Sequence, residues 1–499
     1  MNNSNNIKKP TSSLRVLYAA AEAQPLAKTG GLGEVSGALP PALRKLGVDI
    51  RLLLPAYPGV IDTMAGQPVG EPFNVLPGVA EPVQLFQGRL PDNDTPVYAI
   101  ACASLYDREG GIYNAADGSD WPDNVFRFGV LSKVAALFGS AAGLAGWQAD
   151  IVHCNDWHSG LTPAYLAHDP NPWARSVLGI HNLSFQGNFS PQLLPSLDLP
   201  WSCFTEHGVE FYGQLSFLKA GLYYADHLTT VSPTYAQEIQ TPAFGFGMEG
   251  IVAYRRQRLT GILNGIDTTR WDPQTDPYLP AHFGPRKFTG KAVNKQILQE
   301  RLGLKADGEV ALLAMVGRLT YQKGGDLLLG IAERLLQEPI QLVVLGSGDR
   351  NYEIEWRRLA RDYPARVSVT IGYDAPLAHL IEAAADLFVM PSRFEPCGLN
   401  QMYSMRYRTP PIVRQTGGLA DSVVDTTPRT LAQGSATGFV FEGATEAELL
   451  ACVLRALLVY VEDKKTWHRI QANGMAQTFS WEDSATRYRE VYERLLPQP

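Results

Sequence analysis

Cysteine is scarce in this chain: five in 499 residues (Cys102, Cys154, Cys203, Cys397 and Cys452), an odd number with no C-x-x-C pair. That scatter excludes a zinc knuckle and a disulfide framework and points to a reducing, cytoplasmic setting. Long apolar runs are missing too. None approaches the ~18 residues of a membrane span, and the opening MNNSNNIKKPTSS lacks the apolar centre of a secretion signal. Residues 1–13 read as a flexible arm. Positive charge is also in short supply, with 43 Lys and Arg against 50 Asp and Glu and a net charge of −7. This argues against a nucleic-acid partner, whose binding domains carry a basic face. A few clustered cations would still serve a diphosphate.

What the chain does have is length and apolar content. Hydrophobic residues make up 45% and charged residues 19%, a balance that suits a packed enzyme of more than one domain. Short apolar runs alternate with helical patterns, the signature of parallel βαβ units. In the first half the runs are Leu14–Ala19, Ile50–Leu54, Asp150–Cys154, Ser176–Ile180 and Leu228–Val231, with helices expected over Glu34–Leu46 and Gln214–Tyr224. A stretch rich in Pro, Asp, Thr and Gly over Asp272–Phe288 reads as a linker. A second series follows: Val310–Val316, Gln341–Leu345, Val367–Ile371, Leu387–Met390 and Pro411–Val413, with helices over Asp326–Leu336 and Glu446–Tyr460. The reading is two doubly wound domains, 14–271 and 272–479, and a terminal helix in 480–499 that belongs to either half by pattern alone.

Ligands of such sheets bind beyond the carboxyl ends of the strands, and that is where the unusual residues fall. Lys28-Thr-Gly-Gly-Leu-Gly-Glu34 follows the first strand; its glycines, Gly30 and Gly31 among them, and the helix start behind them suit an anion. The bland reading is a tight turn. Arg318 and Lys323 follow a buried strand in Gly-Arg-Leu-Thr-Tyr-Gln-Lys-Gly-Gly, where two cations can neutralise a diphosphate. They could equally be solvated surface charges. Gly346 and Tyr373 each end a strand, the first permitting close approach and the second offering a flat face to a base.

The segment Pro391-Ser-Arg-Phe-Glu395-Pro-Cys-Gly398-Leu-Asn is the most informative. Glu395 can accept from hydroxyls, while the amides of Gly398, Leu399 and Asn400 face an anion, the two functions a sugar diphosphate needs side by side. In the first half, His153-Cys-Asn-Asp156-Trp-His158 and His181-Asn-Leu each follow a strand. No H-E-x-x-H or supporting ligand spacing accompanies them, and Asp92-Asn-Asp94 sits in a Pro-flanked loop, so no metal is expected.

Lys28-Thr-Gly-Gly-Leu, His181-Asn-Leu, Asn264-Gly-Ile-Asp267, Arg318 with Lys323, and Phe394-Glu-Pro-Cys-Gly-Leu together resemble the bacterial glycogen synthases and plant starch synthases. The similarity runs from about Leu14 to Leu495. It implies a GT-B fold, two Rossmann-like domains facing each other across a cleft, with the sugar nucleotide held mainly by the C-terminal one. It also implies retaining transfer of glucose from ADP-glucose to the non-reducing end of an α-1,4-glucan such as glycogen, releasing ADP, without metal or organic cofactor. By motif, Arg318 and Lys323 would stabilise the departing diphosphate, with Lys28 reaching it from the other domain. Glu395 would bind glucose hydroxyls, and Cys397 and the amides after it would touch glucose and phosphate. His181, Asp156 and Asn264 would line the glucose and acceptor side, and Tyr373 would pack on the base.

Three positions bear on the resemblance. Glu34 stands where the family has Asp, Asn400 replaces a common Thr, and Tyr403 occupies the place of a second glutamate found in many GT-B enzymes, as in the bacterial synthases. Two alternatives share much of the pattern: a related GT-B glycosyltransferase with another acceptor, and a catalytically idle glucan-binding protein. Oligomeric state has no signature here.

Overall fold

The computed structural model describes residues 13–496. The expected arm, residues 1–13, lies outside them save for Ser13, as do the last three residues of the expected terminal helix. The chain divides into two compact units. One takes the residues up to Thr230, Ile239–Thr260 and the chain from Trp481; the other takes Val231–Glu238 and Gly261–Ser480.

The first unit is built on a nine-stranded sheet. Its order is Leu259–Gly261, His227–Thr230, Arg175–Ile180, Ile151–Asn155, Arg15–Ala19, Asp49–Pro55, Pro96–Ala101, Val83–Arg89 and Gln67–Phe73. From His227–Thr230 to Pro96–Ala101 neighbouring strands pair in parallel, and the last two pairings are antiparallel. The central strands are mostly apolar and almost wholly buried because helices cover both faces of a doubly wound sheet. Gly31–Lys45 packs against the terminal helix Trp481–Leu495. That helix lies in the first unit, where Tyr492 Oη is 2.7 Å from His153 Nδ1.

The second unit carries six strands, all parallel, in the order Val367–Ile371, Ile340–Gly346, Ala311–Val316, Leu387–Met390, Pro411–Arg414 and Phe439–Phe441. Separate apolar clusters fill its two faces. One is centred on Leu313, Val344, Trp356 and Val453, the other on Leu312, Val343, Ile381 and Phe388. Successive residues of one strand thus serve opposite layers.

Three details differ from the sequence reading. Gln214–Ser216 is a strand, not the start of a helix; it pairs with Glu210–Phe211 and Asn188–Phe189, and the helix begins at Phe217 with Ser216 as its cap. The stretch after Trp271 has no helix or strand until Thr289, yet it is fastened to the second unit. Trp271 stacks between His379 and Tyr403, each 3.8 Å away, and Asp276 Oδ2 accepts from His379 and Tyr407 at 2.7 and 2.6 Å. The division therefore falls at Thr260/Gly261 rather than 271/272. Among the described residues no helix is long and apolar enough to cross a membrane.

Candidate active site

In the second unit the candidate residues gather at the carboxyl ends of adjacent strands. After Ala311–Val316 the chain runs through Gly317 and Arg318 to Lys323; after Leu387–Met390 it runs to Glu395. Gly324, with φ +68°, presses so closely on the second loop that a Cβ there would stand 2.1 Å from the Pro391 carbonyl oxygen. Only glycine meets both demands. The two loops are thereby held together, and Lys323 Nζ donates to Glu395 Oε2 at 2.6 Å. Ser392 Oγ donates to the same oxygen at 3.0 Å. Glu395 is almost fully buried and Lys323 partly so, which strengthens the pair relative to one in water.

Arg318 Nη2 donates to Gln322 Oε1 at 3.4 Å within the same loop. Arg393 anchors that loop from beneath: its guanidinium grips Asp326 with two bonds of 2.7 and 2.6 Å, lies 3.7 Å over the Tyr321 ring and donates to the Tyr321 carbonyl. Asn400 Nδ2 donates to the Val316 carbonyl at 2.8 Å, tying the helix Asn400–Arg406 to the neighbouring strand end. Gly398 adopts φ +70°, and Leu399 caps that helix. Cys397 is buried, with its thiol pushed up to about 12 by burial, so it stays neutral; Asn264 reaches it, and Asn264 Oδ1 has no hydrogen-bond partner. Gly346 is explained by packing, since a Cβ would stand 1.8 Å from the Gly317 carbonyl oxygen. Tyr373 follows the edge strand Val367–Ile371 and is 79% exposed, a bare ring in solvent.

In the first unit Asp156 and His181 come together. Asp156, at φ +51°, accepts at Oδ1 from the His181 amide at 2.7 Å and from that of Asn182 at 3.3 Å. Burial pushes its carboxyl up to about 7; the two amides act against this and the charge of Glu22 adds to it. His181 Nε2 sits 2.9 Å from Asn155 Oδ1, and burial lowers its imidazole to about 4, so the ring is neutral at pH 7.

The glycine-rich segment is arranged differently from the sequence reading. The helix starts at Gly31, so Gly33 already lies within it. The amides of Thr29 and Gly30 are occupied by the Glu22 carboxylate, at 2.5 and 2.9 Å, and so are not open to an outside anion. Lys28 is paired with Glu34. Gly30 and Gly31 nevertheless border open space, a Cβ on either meeting nothing within 4 Å.

Glu22 and Tyr113 are the residues the motifs missed. Tyr113 donates to Glu22 and stacks on His158 with ring centres 4.7 Å apart, linking the loop to the Asp156 segment. Glu22 stands three residues beyond the end of the central strand Arg15–Ala19, and that position was the available signal. His153 and His158 are core histidines, each lowered to about 3 by burial. Asp94 pairs with Arg89 at 2.9 Å. Among the described residues no group of three or more His, Cys, Asp or Glu is placed to hold a metal ion.

Comparison with known proteins covers both units. The family described as "Starch synthase catalytic domain" matches residues 15–254, and "Glycosyl transferases group 1" matches residues 297–476. A glycogen synthase of Nitrosospira multiformis is 51% identical over 488 residues, covering 97% of this chain and 98% of its own. One from Nitrosomonas europaea is 50% identical over 485 residues, covering 97% and 98%. Among solved structures, the catalytic domain of starch synthase IV from Arabidopsis thaliana, bound to ADP and acarbose, superposes with a TM-score of 0.88 at 33% identity, over 97% of this chain and 99% of that one. A sucrose-phosphate synthase from Thermosynechococcus elongatus, 17% identical with a TM-score of 0.58, shares the fold.

Proposed function

The chain belongs to the glycogen and starch synthase family of GT-B glycosyltransferases, and on that premise we propose that it moves glucose from ADP-glucose to the non-reducing end of an α-1,4-glucan, with retention of configuration and release of ADP. The observation that carries this is the 2.6 Å contact between Lys323 and Glu395, with Arg318 in the same loop. It sets cations for a departing diphosphate directly beside an acid for the hydroxyls of the attached hexose.

In this reading the bond from the anomeric carbon to the phosphate oxygen breaks while the terminal 4-hydroxyl of the glucan attacks from the same face. The hydroxyl proton passes to the leaving phosphate. Arg318 and Lys323 stabilise the charge that grows on that phosphate, the interaction that lowers a barrier rather than merely tightening binding. Lys28 serves the same diphosphate. Glu395 orients glucose, and Asn264, Cys397 and the amides of Gly398, Leu399 and Asn400 complete its surroundings. Asp156 and His181 serve the glucose and acceptor end, Gly30 and Gly31 leave the space for the sugar, Gly346 shapes the donor loop, and Tyr373 covers the base. No metal or organic cofactor takes part. Five buried, unpaired cysteines support a reducing compartment, the cytoplasm.

The test is to supply ADP-glucose or UDP-glucose with glycogen and measure the nucleoside diphosphate released. Turnover with ADP-glucose is the expected result, and no turnover with either donor would remove the proposal.

A further inference from the structure

Gln401 is the second residue of the helix Asn400–Arg406 and is wholly buried. Its Nε2 donates to the Cys397 carbonyl at 3.1 Å, to the Gly398 carbonyl at 3.0 Å and to Ser422 Oγ at 3.1 Å. Ser422 spends its own proton on the Gly418 carbonyl at 2.5 Å. All three partners of Gln401 therefore accept, which fixes the way its side-chain amide points. Its Oε1, by contrast, has no hydrogen-bond partner among the described residues. A buried amide with an unpaired oxygen costs stability that an apolar side chain of the same size does not. The residue is explained by its donors, and these go to the two carbonyls.

Those carbonyls sit in peptide groups that also carry the amides of Gly398 and Leu399. A trans peptide is planar, with its C=O and N–H directed to opposite sides. Drawing the Cys397 and Gly398 carbonyls toward Gln401 therefore turns the amides of Gly398 and Leu399 away from it. Neither amide donates to a protein group among the described residues. The carbonyls just before them are held as well. Ser232 Oγ donates to that of Pro396 at 2.7 Å, and the Gly418 amide is shared between those of Glu395 and Pro396 at 3.1 Å each. Gly398 closes the arrangement, because a Cβ on it would stand 2.6 Å from Gln401 Oε1. From Glu395 to Gly398 every carbonyl faces a protein donor, and the two amides are left for something else.

We propose that Gln401 is a positioning residue for the donor: by holding two carbonyls it aims the amides of Gly398 and Leu399 at the phosphate bonded to the sugar. The proposal rests on the function given above, which sets glucose and phosphate against these amides. The phosphate that carries glucose is the distal one of ADP. The aim of the two amides therefore matters to ADP and not to AMP. It matters to the reaction too, since that phosphate gathers negative charge as its bond to glucose breaks.

The test is calorimetric titration of ADP and of AMP into wild type, Gln401→Met and Gln401→Glu. Methionine fills the space without donors. Glutamic acid has the shape of glutamine and, when buried, keeps its proton, so it serves one carbonyl instead of two. ADP should bind roughly tenfold more weakly to Gln401→Met and about threefold more weakly to Gln401→Glu. AMP should bind both as it binds wild type, which also shows that they fold. In the donor assay KM for ADP-glucose should rise and kcat fall, while KM for glycogen stays put. Ser422→Ala is the control: it removes a buried bond from the same network but leaves both carbonyls held, so its ADP affinity should match wild type. A folded Gln401→Met with wild-type ADP affinity would overturn the inference. An equal loss for ADP and AMP, or a loss in Ser422→Ala as large as in Gln401→Met, would do the same. If Gln401→Met does not fold, Gln401→Glu decides by the same comparison of ADP with AMP. A wild type that holds ADP no tighter than AMP would overturn the diphosphate reading itself, and the positioning role with it.

Discussion

Lys323 Nζ lies 2.6 Å from Glu395 Oε2, joining the cation of one strand-end loop to the acid of the next. Each partner depends on the other. Lys323→Ala would leave a carboxylate that is 6% exposed without its counter-charge, at a loss of about 2–4 kcal/mol in urea unfolding. It should also lower kcat by roughly 10²-fold. Adding Glu395→Gln removes the stranded charge, so stability should return while kcat does not. Recovery of both would mean that Lys323 serves only the fold, and unchanged kcat in the single variant would remove its role in transfer.

Asp156 sets up a trade between stability and activity. Its carboxyl, raised to about 7 by burial, is held neutral in the folded protein well above the pH at which an unfolded Asp ionises. A raised acid contributes stability below its unfolded pKa of about 3.9 and loses that contribution as pH climbs through about 7. Asp156→Asn keeps the shape and the acceptor for the His181 amide but never ionises. The variant should therefore unfold at a higher temperature than wild type at pH 8, by a margin that narrows at pH 5. If Asp156 serves the acceptor end, kcat should fall. A margin independent of pH would contradict the buried ionisation.

The parts of this arrangement that were legible in the sequence share one physical cause. Buried parallel strands such as Ile340–Gly346 and Leu387–Met390 are apolar nearly throughout, with Gln341 the one polar residue, so they stand out as runs, and the residues just past them are marked by position alone. The antiparallel pair Gln67–Phe73 and Val83–Arg89 has a solvated face and includes Pro68, Gly70 and Pro72, which read as punctuation rather than strand. Single contacts leave no pattern at all. Nothing in Lys28-Thr-Gly-Gly shows that Glu22 fills its amides, and the raised carboxyl of Asp156 follows from burial that only the tertiary fold creates. Gly346 was legible as a close approach, but its neighbour is the Gly317 carbonyl.

The pairing of Lys28 with Glu34 gives the departure at position 34 a physical meaning. Both side chains are about a quarter exposed, so the ion pair is screened and worth under about 1 kcal/mol. If Lys28 serves the donor diphosphate as proposed, the pair competes with that diphosphate for the same ammonium. Glu34→Gln should therefore lower KM for ADP-glucose by roughly twofold to fivefold at low salt, an effect that fades as ionic strength rises. Lys28→Ala should raise KM and abolish the benefit of the second change. A Glu34→Gln variant with a higher KM would show that the carboxylate itself serves the sugar.

Arg393 fastens the loop that carries Lys323, and a role in positioning that lysine is testable. The guanidinium forks onto both oxygens of Asp326, at 2.7 and 2.6 Å, lies flat over Tyr321 and donates to the Tyr321 carbonyl, while its own amide donates to the Gln322 carbonyl at 2.8 Å. Those bonds bracket the residues just before Lys323. Lysine keeps the charge but lacks the fork and the flat face, so Arg393→Lys should let the loop drift and lower kcat about tenfold, a small misplacement being enough. A purely structural role would lower activity by the same factor in any background. If Arg393 acts through Lys323, combining Arg393→Lys with Lys323→Ala should reduce kcat little beyond Lys323→Ala alone, because there is no longer a cation to hold in place. Fully additive losses in that double-variant cycle would detach Arg393 from Lys323 and leave the loop's geometry to Gly324 and its packing on Pro391.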